Sequence, residues 1–171
     1  MIDIDEIIRQ LTGNAQAMRA LVQSISKEQA RWKPNPDAWC LQEVMEHVYN
    51  EERIDFRKHL KEILNNPPKP WEKLRREELV SVETCHQALE GFLSEREASI
   101  KWLRAIESTA WDKRSPTPFS PHGEPITLSA GDVLFSWVEH DYLHIRQINE
   151  LLHAWNAKQT SPYSVDYAGE W

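Results

Sequence analysis

Two histidines one helical turn apart give the clearest chemical signal in the sequence. His140 and His144 lie in the segment Trp137–Ile148, where apolar residues recur at helical spacing. At about 100° per residue the two histidines are about 40° apart around a helix, on the same side as Trp137 and Ile148. Their ring nitrogens can therefore reach one ion, as in helical His-x-x-x-His metal sites.

A third histidine lies at the edge of another apolar stripe. His47 follows Val44 by three residues and directly precedes Val48, which places it at the margin of a core-facing helix surface. It reaches the His140 and His144 pair only if the two helices are neighbours. Three imidazoles that converge inside a helical bundle would form a metal site with open coordination positions.

The other histidines have no comparable partner. A histidine taken alone is more often a hydrogen-bonded structural residue than a metal ligand. We predict that His59 and His153 lie at the surface, and that His122 lies in a loop from which it could approach the mouth of the site.

Two carboxylates are candidate catalytic residues beside the histidines. Glu51 follows His47 by one helical turn, and Asp141 directly follows His140. A carboxylate at either place could orient an imidazole or hold a metal-bound water molecule. The alternative interpretation is an acidic helix face exposed to solvent.

Four long helical patterns must position these residues. The predicted helices run from Asp3 to near Trp32, from Trp39 to before Pro67, from between Arg76 and Ser81 to near Ser108, and from Leu128 onward. Asp3 and Ser129 are the predicted N-caps. The pattern predicts an all-α four-helix bundle that forms a single domain over residues 1–171. The segment from Trp111 to Pro125 has no clear period and is long for a bundle connection, which favours a functional or closing loop.

Composition excludes several classes of protein. The net charge is −7, and no run of lysine and arginine is long enough to follow a phosphate backbone, which argues against nucleic acid as a partner. The start is acidic and lacks a signal-peptide pattern, and no apolar run approaches membrane-spanning length. Cys40 and Cys85 stand in no metal or redox spacing. We therefore expect a cytoplasmic protein with two reduced thiols, and no association with a membrane.

The motifs also resemble those of a known family. The segment Trp39–His47, preceded by Ala30–Pro34, is similar to the opening of the second helix in the DinB-like superfamily, in the branch that contains the bacillithiol transferases. The glycine and Thr-Leu of His122–Leu128, followed by His-x-x-x-His-x-x-Gln-Ile over 140–148, resemble that family's later motifs. The resemblance spans nearly the whole chain in order and spacing. Cys40 departs from it, because the family usually caps this helix with serine or threonine.

The resemblance implies a fold, a metal and a chemistry. It implies a bundle with an up-down-down-up course and a divalent metal held by His47, His140 and His144. Zinc or nickel is expected first, and iron or cobalt would also suit three nitrogen ligands with open positions. Characterised members include thiol transferases that join low-molecular-weight thiols such as bacillithiol to electrophiles, a mycothiol-dependent isomerase, and proteins called metal-dependent hydrolases. The expected function is metal-dependent thiol S-transfer or hydrolysis on a small electrophilic substrate.

The sequence also allows two other functional classes. Glu83-x-x-His86 and Asp141-x-x-His144 match part of the pattern of carboxylate-bridged di-iron bundles, although the other two helices lack well-placed core glutamates. The eight tryptophans would also suit a non-catalytic module in which a metal stabilises an interaction surface. A homodimer formed through helix faces is a further expectation.

Overall fold

The computed structural model describes residues 2–65, 67–69, 71, 75–106, 110–117 and 126–171. Its α-helices are α1 (Ile4–Val22), α2 (Lys27–Arg31), α3 (Leu41–Ile54), α4 (Phe56–Leu64), α5 (Cys85–Arg104) and α6 (Ala130–Gln159). An antiparallel ladder pairs β1 (Arg114–Pro116) with β2 (Thr127–Ser129). The long helices α1, α3 continued by α4, α5 and α6 form the bundle, so the predicted all-α four-helix fold is confirmed.

Local chemistry explains where the first helices begin and end. The Asp3 carboxylate accepts the backbone N–H groups of Asp5 and Glu6, as expected of an N-cap. The prediction that this helix continues to Trp32 was wrong, since α1 ends at Val22. The hydroxyl of Ser26 accepts the N–H of Gln29 and begins the separate short helix α2.

The second predicted helix is interrupted. Asp55 has φ −111° and ψ −89°, outside the helical region, so α3 and α4 are distinct segments. Cys40 occupies the N-cap position of α3, and its backbone N–H donates to the Glu43 carboxylate at 2.8 Å. Burial raises the pKa of the Cys40 thiol, so the capping cysteine is held in its neutral form.

The third and fourth helices start at capping boxes. Thr84 and Gln87 cap α5, which begins at Cys85, later than predicted. Ser129 and Asp132 cap α6 as predicted.

The segment predicted to be a loop holds the start of α6 in place. The carbonyl of Lys113 accepts the N–H of Ala130 at 2.9 Å, and that of Trp111 accepts the N–H of Gly131 at 2.8 Å. The strand pairing was not predicted, because strands this short leave no periodic signal. Residues 118–125 of the predicted loop, with His122, lie outside the described residues.

The packing order brings α3 and α6 together. Helix α1 packs against α5 and α6, and α3 also packs against α5 and α6. The buried apolar residues form two clusters, one around Met45 and Phe92 and one around Leu60 and Trp137. Within the described residues, no helix combines the length and the apolarity needed to cross a lipid bilayer.

A buried network of charges links the two clusters. The Arg96 guanidinium is 4.8 Å from the Phe92 ring centroid and 5.8 Å from that of Trp137. It donates to both carboxylate oxygens of Asp141 at 2.7 and 2.8 Å and to Glu52 at 2.9 Å. Burial opposes the charge on Arg96, but the two carboxylates outweigh it and raise the pKa of the guanidinium. The network therefore ties α3, α5 and α6 to one another.

Gly91 allows α3 and α5 to approach closely. A Cβ at this position would lie 2.7 Å from the ring of Tyr49, whereas a Cβ at Gly13 in α1 would meet nothing within 4 Å. We expect Gly91→Ala to destabilise the protein by about 1 kcal/mol, because overpacking outweighs the gain in helix propensity. Gly13→Ala should stabilise it by about 1 kcal/mol. Chemical denaturation of both variants checks this, and equal effects of the same sign would contradict it.

Candidate metal centre

The three predicted histidines converge between α3 and α6. The Nε2 atom of His140 lies 3.2 Å from Nε2 of His47 and 3.1 Å from Nε2 of His144. One candidate ligand atom from each residue lies within 4.8 Å of the other two. Packing of α3 against α6 supplies the contact between helices that the sequence pattern alone left open.

A hydrogen bond fixes the orientation of His144. Its Nδ1 atom lies 2.8 Å from the side-chain oxygen of Gln147, one turn further along α6. Because that oxygen only accepts, Nδ1 carries the hydrogen and Nε2 presents a lone pair to the other two rings. We did not predict this partner, although its position three residues after His144 was a usable signal.

Side chains on the outer side of the cluster also hold the rings. The Nδ1 atom of His47 lies 3.7 Å from a carboxylate oxygen of Glu51, as the one-turn spacing suggested. Trp39 contacts the His47 ring edge to face, with centroids 5.2 Å apart, and Phe56 contacts His140 in the same manner at 5.0 Å. The aromatic rings limit the freedom of both imidazoles and cover part of the cluster.

The donor set fits a divalent cation. A neutral imidazole carries one N–H, so the single Nε2 atom of His140 cannot form ordinary hydrogen bonds with both neighbouring Nε2 atoms. Burial, assisted by the neighbouring imidazoles, lowers the pKa of His47 to about 4 and that of His140 to about 3. Burial also lowers the pKa of His144. The rings are therefore neutral at physiological pH, which is the form that binds a metal.

The same pKa shifts predict how metal-free protein responds to acid. A histidine with a depressed pKa in the folded state contributes stability that is complete above the unfolded value of 6.5 and is lost toward the folded value. In the presence of a chelator, the stability advantage of the wild type over a His47→Gln, His140→Gln variant should shrink as pH falls from 6.5 to about 4. We expect a loss of about 5 °C or more in the difference between their melting temperatures.

Titration of Glu51 also makes the stability depend on pH, and the comparison with the variant must account for it. Burial, with the carboxylate of Asp55, raises the pKa of Glu51 to about 8, so its contribution has the opposite sign and stability rises as pH falls from about 8 to 4.5. That slope is present in both proteins, so the comparison removes it. A difference in melting temperature that does not change with pH would contradict the prediction.

Asp141, the second candidate carboxylate, binds a buried arginine. It directly follows His140, but both of its carboxylate oxygens accept hydrogen bonds from Arg96. These bonds anchor α6, and the role suggested for Asp141 beside the histidines stays a prediction.

The prediction that His59 lies at the surface was wrong, since its side chain is buried. Its Nδ1 atom pairs with the Asp55 carboxylate, and its ring stacks on Trp71 with centroids 4.2 Å apart. The apolar period already contained the signal, because His59 lies three residues after Phe56 and four before Ile63. Burial acts to raise the pKa of Asp55, but hydrogen bonds with His59 and Glu51 hold it below its usual value.

The residues of the di-iron pattern do not form a buried site. Glu83 precedes the cap of α5 and is exposed. His86 is also exposed, and its Nε2 atom contacts the backbone carbonyl of Gln23 at 3.0 Å. Within the described residues, the group with the spacing of a metal site is the set of His47, His140 and His144, hereafter the histidine triad.

A family model matches the part of the chain that contains this triad. The model of the DinB superfamily covers residues 10–148. The chain belongs to the DinB superfamily. The family resemblance seen in the motifs around His47 and in 140–148 is thereby confirmed.

A solved structure shows the same fold. YfiT from Bacillus subtilis, described as a probable metal-dependent hydrolase with an unusual four-helix bundle topology, superposes with a TM-score of 0.66. The alignment covers 91% of each chain at 16% sequence identity. It confirms the predicted DinB-like bundle with its up-down-down-up course. No curated protein sequence matches the chain significantly.

Proposed function

We propose that the protein binds a divalent metal ion through His47, His140 and His144 and uses it for thiol S-transfer or hydrolysis on a small electrophilic substrate. The observation that carries this proposal is the convergence of three Nε2 atoms from one buried imidazole, His144, and two half-buried ones, His47 and His140. Membership of the DinB superfamily supports it, as does the description of the similarly folded YfiT as a probable metal-dependent hydrolase.

Three protein ligands leave positions on the ion for a substrate or a nucleophile. When bound, a divalent ion supplies Lewis acidity, which makes a water molecule or a thiol a usable nucleophile near neutral pH. Zinc and nickel are the proposed ions, and cobalt or iron would suit the same nitrogen donors.

Residues of the chain prepare the site before any substrate arrives. Gln147 holds the tautomer of His144, and Glu51 lies on the outer side of His47, where it can accept the remaining ring hydrogen. Trp39 and Phe56 pack against ligand rings and reduce their contact with water. We assign Asp141 an indirect role, in which it fixes the helix that carries two of the three ligands.

One histidine of the triad borders a surface cleft. His144 lines a cleft on the surface of the bundle, as expected for a centre that meets a substrate rather than one sealed for structural support. The cytoplasmic location and the homodimer suggested by the sequence stay predictions.

The proposal is tested by metal content and reconstitution. Protein purified without a histidine tag is analysed for metals, stripped with a chelator and reloaded with zinc or nickel. Each form is assayed with a low-molecular-weight thiol and a chromogenic electrophile, and separately with a chromogenic ester. We expect turnover that depends on reloading. Full turnover by the stripped protein, or the absence of any bound divalent metal in an active preparation, would refute the proposal.

A further inference from the structure

A cleft of about 660 Å³ lies directly against His144. One wall is α6 from Leu143 to Ala154, which spans about 16 Å at 1.5 Å per residue. The opposite wall is the chain that precedes α3, including Pro34 and Trp39. A ligand that leaves the histidine triad at His144 would lie across the face of α6 in this cleft.

The walls of the cleft are largely apolar. Trp39 and Leu143 are 43% and 47% exposed, although both are large hydrophobic residues. Ala38, Leu151 and Ala154 continue the apolar lining. Large apolar side chains grouped in a concave surface beside polar groups are typical of a small-molecule site, where a ligand removes their surface from water.

A cation stands at the outer rim of this cleft. Arg146 is two residues after His144, about 200° around the helix, so the two residues lie on opposite sides of the cleft wall. The Nε atom of Arg146 lies 3.4 Å from a Glu150 oxygen, and the two side chains are 69% and 54% exposed. A pair this exposed is weak. This contact with Glu150 uses Nε, so the two Nη groups can bind a carboxylate through two parallel hydrogen bonds.

We propose that the substrate is an elongated carboxylic acid. Its reactive group lies at the histidine triad, its apolar body lies between Trp39 and Leu143, and its carboxylate binds Arg146. This assignment rests on the proposed function, because the metal centre locates the reactive end. Leu143 and Arg146 then determine specificity.

The test uses the cobalt(II)-loaded full chain and matched probes. Suberic monohydroxamic acid joins a metal-binding hydroxamate to a carboxylate through a linear alkyl chain. The first control is its terminal primary amide, and the second is acetohydroxamic acid, which has the hydroxamate alone. Binding is followed by the change in the visible absorption of cobalt, a readout that does not depend on turnover.

We expect the acid to bind about three- to fivefold more tightly than the amide, because a bidentate hydrogen-bonded pair with an exposed arginine contributes modestly. The amide should in turn bind more tightly than acetohydroxamic acid. Arg146→Met should remove the preference for the acid over the amide, and Glu150→Gln should keep it. Leu143→Ser should weaken the binding of the acid and of the amide by the same factor. It should leave the affinity for acetohydroxamic acid unchanged.

Each failure has its own meaning. Equal affinities for the acid and the amide, or a preference that survives in Arg146→Met, would overturn the carboxylate assignment while the metal centre stands. If the acid binds no more tightly than acetohydroxamic acid, the assignment of the apolar cleft as the binding site for the alkyl chain is wrong. Failure of the chain to bind cobalt would instead overturn the proposed metal function. Arg146 and Leu143 are exposed, so these variants are expected to fold, and circular dichroism checks that they do.

Discussion

Replacing His140 with alanine is expected to abolish stoichiometric binding of a divalent metal. His140 is the central residue of the histidine triad, since its Nε2 atom lies within 3.2 Å of Nε2 in both His47 and His144. Loss of a residue that merely orients a ligand usually costs 10–100-fold in metal affinity. Loss of the ligand itself should therefore weaken binding by more than about 100-fold. Elemental analysis after dialysis measures the metal stoichiometry, and titration against a chromophoric chelator measures the affinity.

Two further variants calibrate this result. His153 lies on the same helix as His140, and its ring stacks on Trp171. The variant His153→Ala should keep the wild-type metal content. Gln147→Leu removes the hydrogen-bond partner of His144 and should weaken metal binding by about 10–100-fold. Stoichiometric metal of wild-type affinity in His140→Ala would refute the assignment of the ligands.

Replacing Arg96 with methionine is expected to reduce the free energy of unfolding by about 3–5 kcal/mol. The arginine is 3% exposed, and its partners Glu52 and Asp141 are each 1% exposed. Without the guanidinium, two carboxylates would remain buried without this countercharge, and Glu52 would keep the neutral indole N–H of Trp137 as a hydrogen-bond donor at 2.8 Å. Urea denaturation of metal-free protein measures the loss without interference from metal binding.

The design of the controls separates buried charge from lost packing. Arg9→Met removes an exposed arginine whose partner is Glu6, and it should leave the free energy of unfolding nearly unchanged. Adding Glu52→Gln and Asp141→Asn to Arg96→Met removes the stranded charges, so this triple variant should be more stable than the single one. If Arg96→Met were as mild as Arg9→Met, the network would contribute little to the fold.

Much of the candidate metal centre can be predicted from local sequence. The helical period alone places His140 and His144 on the core side of one helix, and burial of His144 agrees with this. His47 could not be joined to them by period, because a local pattern does not reveal which helices become neighbours. The family resemblance therefore supplied His47 as the third candidate ligand, and the packing of α3 on α6 explains how it reaches the other two histidines.

The errors have physical causes as well. The break at Asp55 and the cap at Ser26 divide helices whose apolar spacing continues across them, so periodicity overestimates their length. His59 was assigned by residue type, although its spacing placed it on the core face and a carboxylate one turn earlier could satisfy it. Arg96 likewise falls within the apolar stripe of its helix, but its partners Glu52 and Asp141 come from other helices and require the three-dimensional packing.

The buried Arg96 network also defines what a protein engineer would have to transplant. Glu52 follows His47 by five residues in α3, and Asp141 directly follows His140 in α6, so each helix that carries a histidine of the triad is bonded to the same guanidinium within about one and a half turns of that histidine. Copying three histidines onto another helical scaffold would leave the spacing between the two helices unspecified. The smallest portable unit is therefore the triad together with Arg96 and its two carboxylates, drawn from three helices.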